Sequence, residues 1–209
     1  TVLAEVDGYV LRVSEVGSIP TPRNLPEARR LKQWPLFKAA MEEEIKGKFK
    51  ENVAWDVVKR PTGKHVMKSR WVFTIKYGKD GSILRIKARF VAKGFSQTAE
   101  EFGKIKAATL PGVSFRTFFA LLVAQDWESD HIDAVKAFTQ ADIDKELYCE
   151  MPEGFAKPGC VLKLRKALEG IRQGAYLWQQ LNISALRKCG LENSLAEPNI
   201  FVHPTLPIR

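Results

Sequence analysis

The sequence predicts an α+β fold, and three observations carry that expectation. From Trp34 to Phe49, the residues Trp34, Phe37, Met41, Ile45 and Phe49 recur at helical spacing, with Glu42 to Glu44 on the opposite side. From Arg70 to Val91, two alternating runs flank the turn Tyr77-Gly78-Lys79-Asp80-Gly81, which reads as a β-hairpin. From Ala175 to Cys189 the pattern is helical again through Trp178, Leu181, Ala185 and Leu186, and Gly190 stands where a C-terminal cap belongs.

The elements follow in order. Residues 1–27 are loosely patterned, and three prolines between Ile19 and Pro26 exclude a helix interior, so this stretch is expected to be a linker or tail. After the first helix, Asn52 to Lys59 reads as a turn and a short strand. The hairpin strands are Arg70 to Lys76 and Ser82 to Val91, and Lys93-Gly94-Phe95-Ser96-Gln97 closes this arm. Phe115 to Asp126 is apolar all round and predicts a buried helix. Asp130 to Ala134 predicts a short strand, and Asp142 to Glu146 an acidic turn that starts a solvated helix. Leu147 to Met151 and Cys160 to Leu164 complete the expected strands. No internal repeat is visible.

Charge is distributed unevenly. The chain of 209 residues has a formal charge of +9. Between Lys59 and Lys93 lie eleven Lys or Arg and one acid, Asp80. Between Asp126 and Glu153 lie nine acids and only Lys136 and Lys145. A basic arm that neutralises phosphates, followed by an acidic pocket that holds divalent metal, suits phosphate-transfer chemistry on a nucleic acid. A basic enzyme with a small phosphorylated substrate is the plainer alternative. The 45% hydrophobic and 27% charged content is that of a globular protein rather than a disordered one. The longest apolar run, Phe118 to Ala124, is too short to span a bilayer, so no membrane partner is expected. No leader pattern opens the chain, and the first residue is not Met, so an excerpt of something longer is expected. Cys149, Cys160 and Cys189 share no close spacing, which argues against a zinc site or disulfide framework and suits a reduced intracellular setting.

The residues with chemical potential are few. Period two places Leu84, Ile86, Ala88 and Phe90 on one face of the second hairpin strand, and Arg85, Lys87 and Arg89 on the other. That basic stripe reads either as a solvated surface or as a phosphate-facing one. Asp133 is the candidate metal ligand, because it ends a short predicted strand, and strand ends present side chains to clefts. One carboxylate is insufficient for two-metal phosphoryl transfer, which clamps ions about 3.5–4 Å apart. His131 reads as an ordinary polar strand residue, and Phe138 as a core aromatic.

Several motifs resemble the reverse transcriptase of copia-type (Ty/copia) long-terminal-repeat retrotransposons. The most specific are Ser69-Arg70-Trp71-Val72-Phe73, Asp80-Gly81-Ser82-Ile83, and Lys87-Ala88-Arg89-Phe90-Val91-Ala92-Lys93-Gly94-Phe95-Ser96-Gln97. The stretch from Asp133 to Phe138, Met151-Pro152-Glu153-Gly154-Phe155, Lys163-Leu164 to Trp178, and Leu195 to Val202 extend the likeness over about nine-tenths of the chain.

The resemblance implies the fingers and a partial palm of a right-hand polymerase, with fingers at roughly 28–125 and palm at 126–209. It implies RNA-directed DNA synthesis with two Mg²⁺ ions, a template-primer of RNA or DNA and a deoxynucleoside triphosphate as partners, and neighbouring integrase and RNase H domains. It also implies a cytoplasmic particle or the nucleus as location. By the same resemblance, Asp133 is the first metal-binding aspartate and Ala134 lends its backbone carbonyl. Lys87 and Arg89 grip the triphosphate, and Phe138 lies beneath the incoming sugar. Apart from the resemblance, Arg85 on the basic face and Lys93 in the same basic arm are the candidate nucleic-acid contacts. The chain departs from the pattern at Ile105 to Thr109, at Thr139-Gln140-Ala141, at Ala175-Tyr176, and at Glu169, where the family has Tyr. The family's Tyr-x-Asp-Asp is expected after Val202, but His203 to Arg209 follows, and no Asp-Asp pair occurs in the sequence. The chain by itself is therefore expected not to polymerise. A non-catalytic nucleic-acid-binding remnant is the alternative reading. A metal-dependent nuclease using Asp133 with Asp130 or Asp142 is the third.

Overall fold

The computed structural model describes residues 3–6, 9–12, 19–48 and 53–205. Phe49 of the first helical stripe and Asn52 of the following turn lie outside the described residues. The molecule mixes helices with small antiparallel sheets. Within the segment expected as a linker, β1 (Leu3–Val6) pairs antiparallel with β2 (Tyr9–Arg12). Helix α1 (Leu25–Arg30) starts at Asn24, whose side chain accepts the Glu27 backbone N–H, with Pro26 in the first turn. Helix α2 (Trp34–Lys46) buries Leu36, Phe37, Ala40 and Met41 and runs into a π-type turn at Gly47 and Lys48.

The predicted hairpin is present as β4 (Ser69–Tyr77) and β5 (Ile83–Ala92). Trp71 opposes Phe90, Phe73 opposes Ala88, and Ile75 opposes Ile86, and all six side chains are buried. One expectation fails here. Leu84 is 62% exposed, and Ile83 takes the core place. The register gives the reason: Lys76 opposes Arg85 while Tyr77 opposes Ile83, so Leu84 is the extra residue of a β-bulge.

Phe90 is fully buried at the centre of an aromatic cluster, with ring centroids 5.6 Å from Trp55 and 5.8 Å from Trp71. Phe155 packs on Trp71, whose indole N–H donates to the Glu153 carbonyl, so the Met151 to Phe155 segment covers the hairpin. Phe37 of α2 meets Phe73 edge-on at 5.3 Å.

The outer edge of β5 is closed by side chains and a turn, and no third described strand pairs with it. Glu44 accepts the Phe90 N–H, and Lys48 donates to the Phe90 carbonyl. The Ala92 and Gly94 N–H groups donate to the carbonyls of Glu169 and Gly170. This covering satisfies groups that would otherwise form an exposed sheet edge. A second sheet has the order β3 (Trp55–Lys59), β7 (Cys160–Leu164), β6 (Tyr148–Cys149). It joins strands from either side of residue 126, so one core serves both halves of the sequence.

Three other expectations are corrected. Helix α3 (Gly112–Ala124) forms, but none of its residues is buried, and Val113, Phe115, Phe119, Leu121 and Val123 are exposed. Apolar composition signals a tendency to be covered, but burial requires an element to cover it, and no described element does so. Asp130 to Ala134 is irregular, and Ile132 is 90% exposed. A strand needs a partner for its backbone groups, and no described strand pairs with this segment. Asp142 to Glu146 starts no helix. Asp142 instead forms an isolated antiparallel bridge with Lys166, to which its carboxylate also pairs. Helix α4 (Gly174–Lys188) ends at Gly190, whose φ of +82° suits the expected cap, yet its apolar stripe is at most half-buried. Further along, β8 (Glu192–Asn193) pairs with β9 (Phe201–Val202).

Candidate nucleic-acid and nucleotide-binding face

The face of the hairpin opposite its aromatic side carries the basic stripe. Arg70, Lys76, Arg85, Lys87 and Arg89 alternate with the buried residues of β4 and β5, so the pleat points all five the same way. Their direction is secured because the other side of each strand is locked in the core. Of the five, only Arg85 has a carboxylate partner among the described residues, Glu43 of α2 at 2.7 Å. Partial burial lowers the Lys87 pKa, and the neighbouring charges of Lys76, Arg85 and Arg89 lower it further, against a smaller opposing pull from Glu43. An ammonium with this surrounding is relieved by an anion. Arg89 and Lys93 form no ion pair with a described residue.

The acidic segment is organised differently from an open metal pocket. Glu150 pairs with Arg60 at 2.6 Å, and Glu146 with Lys64 and Lys163, both at 3.1 Å. Two cations of the basic arm, Arg60 and Lys64, therefore neutralise carboxylates of the acidic segment. The Glu146 carboxyl is held down at about 2, first by the Tyr148 hydroxyl and then by the two lysines. Asp142 pairs with Lys166 at 2.7 Å, and Asp144 accepts from Gln173. Asp133 and Ala134 are exposed in the irregular segment, and His131 and Asp130 are exposed beside them. No hydrogen bond or ion pair among the described residues joins Asp133 to Lys87 or Arg89. Phe138 is half-buried against the core and touches the position where a Cβ on Gly174 would sit.

Two groups escape sequence reasoning. The first is Lys48, fully buried, whose Nζ lies 2.8 Å from Glu44 and 2.5 Å from Glu169. Glu169 in place of an expected Tyr is the one signal for it. The second joins the 93–97 turn to the 170–173 segment. The buried Gln97 donates to Gln173 at 3.0 Å, and its side-chain oxygen accepts the Arg172 N–H at 2.8 Å. Arg172 donates to the Gly94 and Phe95 carbonyls and stacks on Phe102 at 4.7 Å. Gly94 and Gly170 cross so closely that a Cβ on Gly170 would collide with the Ala92 carbonyl oxygen.

The sequence profile described as reverse transcriptase (RNA-dependent DNA polymerase) matches residues 52–205. The chain belongs to the reverse transcriptase family. It is similar to the retrovirus-related Pol polyprotein from transposon RE1 of Arabidopsis thaliana, 33% identical over 93% of this chain and 13% of the relative. The Pol polyprotein from transposon TNT 1-94 of Nicotiana tabacum is 31% identical over 86% of this chain and 14% of the relative. The transposon Ty1-BL Gag-Pol polyprotein of Saccharomyces cerevisiae is 28% identical over 62% of this chain and 7% of the relative. The family is thus that of copia-type transposons, and the chain spans 13% to 14% of the length of these two plant relatives. No solved structure matches.

Reverse transcriptases use divalent metal, and a two-ion site takes at least two carboxylates on a common cleft. Asp133 belongs to no described group of three or more His, Cys, Asp or Glu that could hold an ion. The acids at 142, 144, 146 and 150 are already engaged. These residues do not fit a two-metal centre.

Proposed function

We propose that this reverse transcriptase chain forms fingers and the start of a palm, and that its basic hairpin face binds the phosphates of template and incoming deoxynucleotide. One observation carries the reading: five cations share one face of a two-stranded sheet whose opposite face is locked in an aromatic core. Arg89 supplies a planar fork for a triphosphate, and Lys87 a point charge beside it. Arg85 and Lys93 extend the track along a backbone, and Phe138 lies beneath the sugar. Asp133 and the Ala134 carbonyl are the chain's contribution to metal binding, which needs carboxylates beyond those found here. In a Pol polyprotein, integrase and RNase H domains are the proposed neighbours.

The test is binding of a labelled single strand and a primer-template at rising salt. Affinity should fall steeply, and Lys87→Ala with Arg89→Ala should flatten the salt slope by about 0.7–0.9 per lost phosphate contact. Salt-insensitive binding, or a slope untouched by both substitutions, would overturn the proposal.

A second reading, a binding remnant without chemistry, is favoured by the ion pairing of the acidic segment. It expects affinity to be independent of Mg²⁺ and of Asp133→Asn. Primer extension by this chain, abolished by Asp133→Asn, would exclude it.

A further inference from the structure

Phe95 is 76% exposed, although the turn that carries it is fixed by several hydrogen bonds. The turn Gly94–Ser96 follows β5 directly. The Ser96 and Gln97 N–H groups close it onto the Lys93 and Gly94 carbonyls. The Gly94 N–H is fixed to Gly170, the Lys93 N–H to Lys68, and the Phe95 carbonyl to Arg172 at 3.1 Å. A ring on such a turn has little freedom to fold back onto the core, and its exposure gains the fold nothing.

Its surroundings are cationic. Arg70 lies among the first residues of β4, and Lys68 just precedes that strand. Lys93, two positions before Phe95, is tied to the Lys68 carbonyl, and Arg172 donates to the Phe95 carbonyl. None of these four has a carboxylate partner among the described residues. Glu101, the acid that packs on this turn, is occupied by His65 and the Thr98 N–H, while Glu100 is exposed.

We propose that Phe95 is a stacking platform for an unpaired nucleobase of a single strand whose phosphates run along Lys68, Arg70, Lys93 and Arg172. A preset aromatic ring among cations matches a strand that offers a π-face and a phosphate at each nucleotide. Charge complementarity selects this occupant over an apolar protein surface, which would leave four cations buried without partners. The proposal rests on the nucleic-acid-binding reading above and adds a base contact to it.

The test uses the full chain and fluorescence anisotropy with a single-stranded oligonucleotide and an abasic strand of equal length. Phe95→Ala should weaken binding to the normal strand about tenfold and leave the salt slope unchanged. Phe95→Trp should retain affinity, and the emission of its added indole should be quenched on binding. The abasic strand should bind wild type and Phe95→Ala alike. Equal affinity of wild type and Phe95→Ala for the normal strand, with salt dependence intact, would refute stacking while leaving phosphate binding standing. An equal loss on both strands would refute it too. If no variant binds either strand, both proposals fall. If the indole of the Phe95→Trp variant is covered only when a protein is added, the ring belongs to a protein interface and the nucleobase assignment is overturned.

Discussion

Phe90 shows how much one side chain contributes. It is fully buried and packs against Trp55 and Trp71, which come from different sheets. Phe90→Ala removes the link between them and leaves a cavity, so urea denaturation should show a loss of about 3–5 kcal/mol. Glu146 makes an acid-dependent contribution of the opposite character, exposed and electrostatic. Its carboxyl falls from an ordinary 4.5 to about 2 in the folded chain. A folded-state pKa below the unfolded one adds stability that is full above the unfolded value and fades as pH drops towards the folded one. The urea midpoint of Glu146→Gln should therefore lie below wild type at neutral pH, and the two should converge between about 4.5 and 2. A constant gap across that range would refute the assignment. Phe90 is legible in the alternation of β5, whereas two of the three Glu146 partners, Lys64 and Lys163, come from other segments and are not.

Among the elements, the outer edge of β5 depends on a buried cation. Lys48 holds the Phe90 carbonyl, Glu44 and Glu169 together, and Glu169 lies 121 positions away. Taking the ammonium away leaves two carboxylates in a poorly solvated site, so Lys48→Met should cost about 3–5 kcal/mol in a denaturation experiment. Adding Glu169→Leu to Lys48→Met should recover part of that loss, because it removes one stranded charge. A double variant no more stable than the single would show that packing, not charge, dominates. The Gly94–Gly170 crossing beside it tolerates no Cβ, since Gly170 combines a φ of +92° with a direct clash against the Ala92 carbonyl. Gly170→Ala should lower the melting temperature more than Gly63→Ala. At position 63 φ is also positive, but nothing lies within 4 Å.

For the whole molecule, thiol chemistry reports whether the two halves share one core. Cys149 is buried in β6 beside β7, and burial pushes its thiol up to about 12. Cys189 is exposed at the end of α4. A thiol reagent should modify Cys189 in the native chain and reach Cys149 only on unfolding, in step with loss of tryptophan fluorescence. Labelling of Cys149 well before that loss would mean that the β3-β7-β6 sheet opens independently of the hairpin.

Local alternation was enough to determine the hairpin, its buried aromatic face and its basic face, because successive side chains on a strand must point oppositely whatever surrounds them. The helices at 34–46 and 174–188 were legible for the same reason, since periodicity and capping are local properties. The family motifs were also readable as strings of residues, and the profile match bears that out. The bulge at Leu84, the exposure of α3, the irregular path through Asp133 and the engagement of the acidic segment were decided by tertiary structure. Each depends on whether a partner arrives from a distant part of the chain, and pattern within a segment carries no information about what will lie against it.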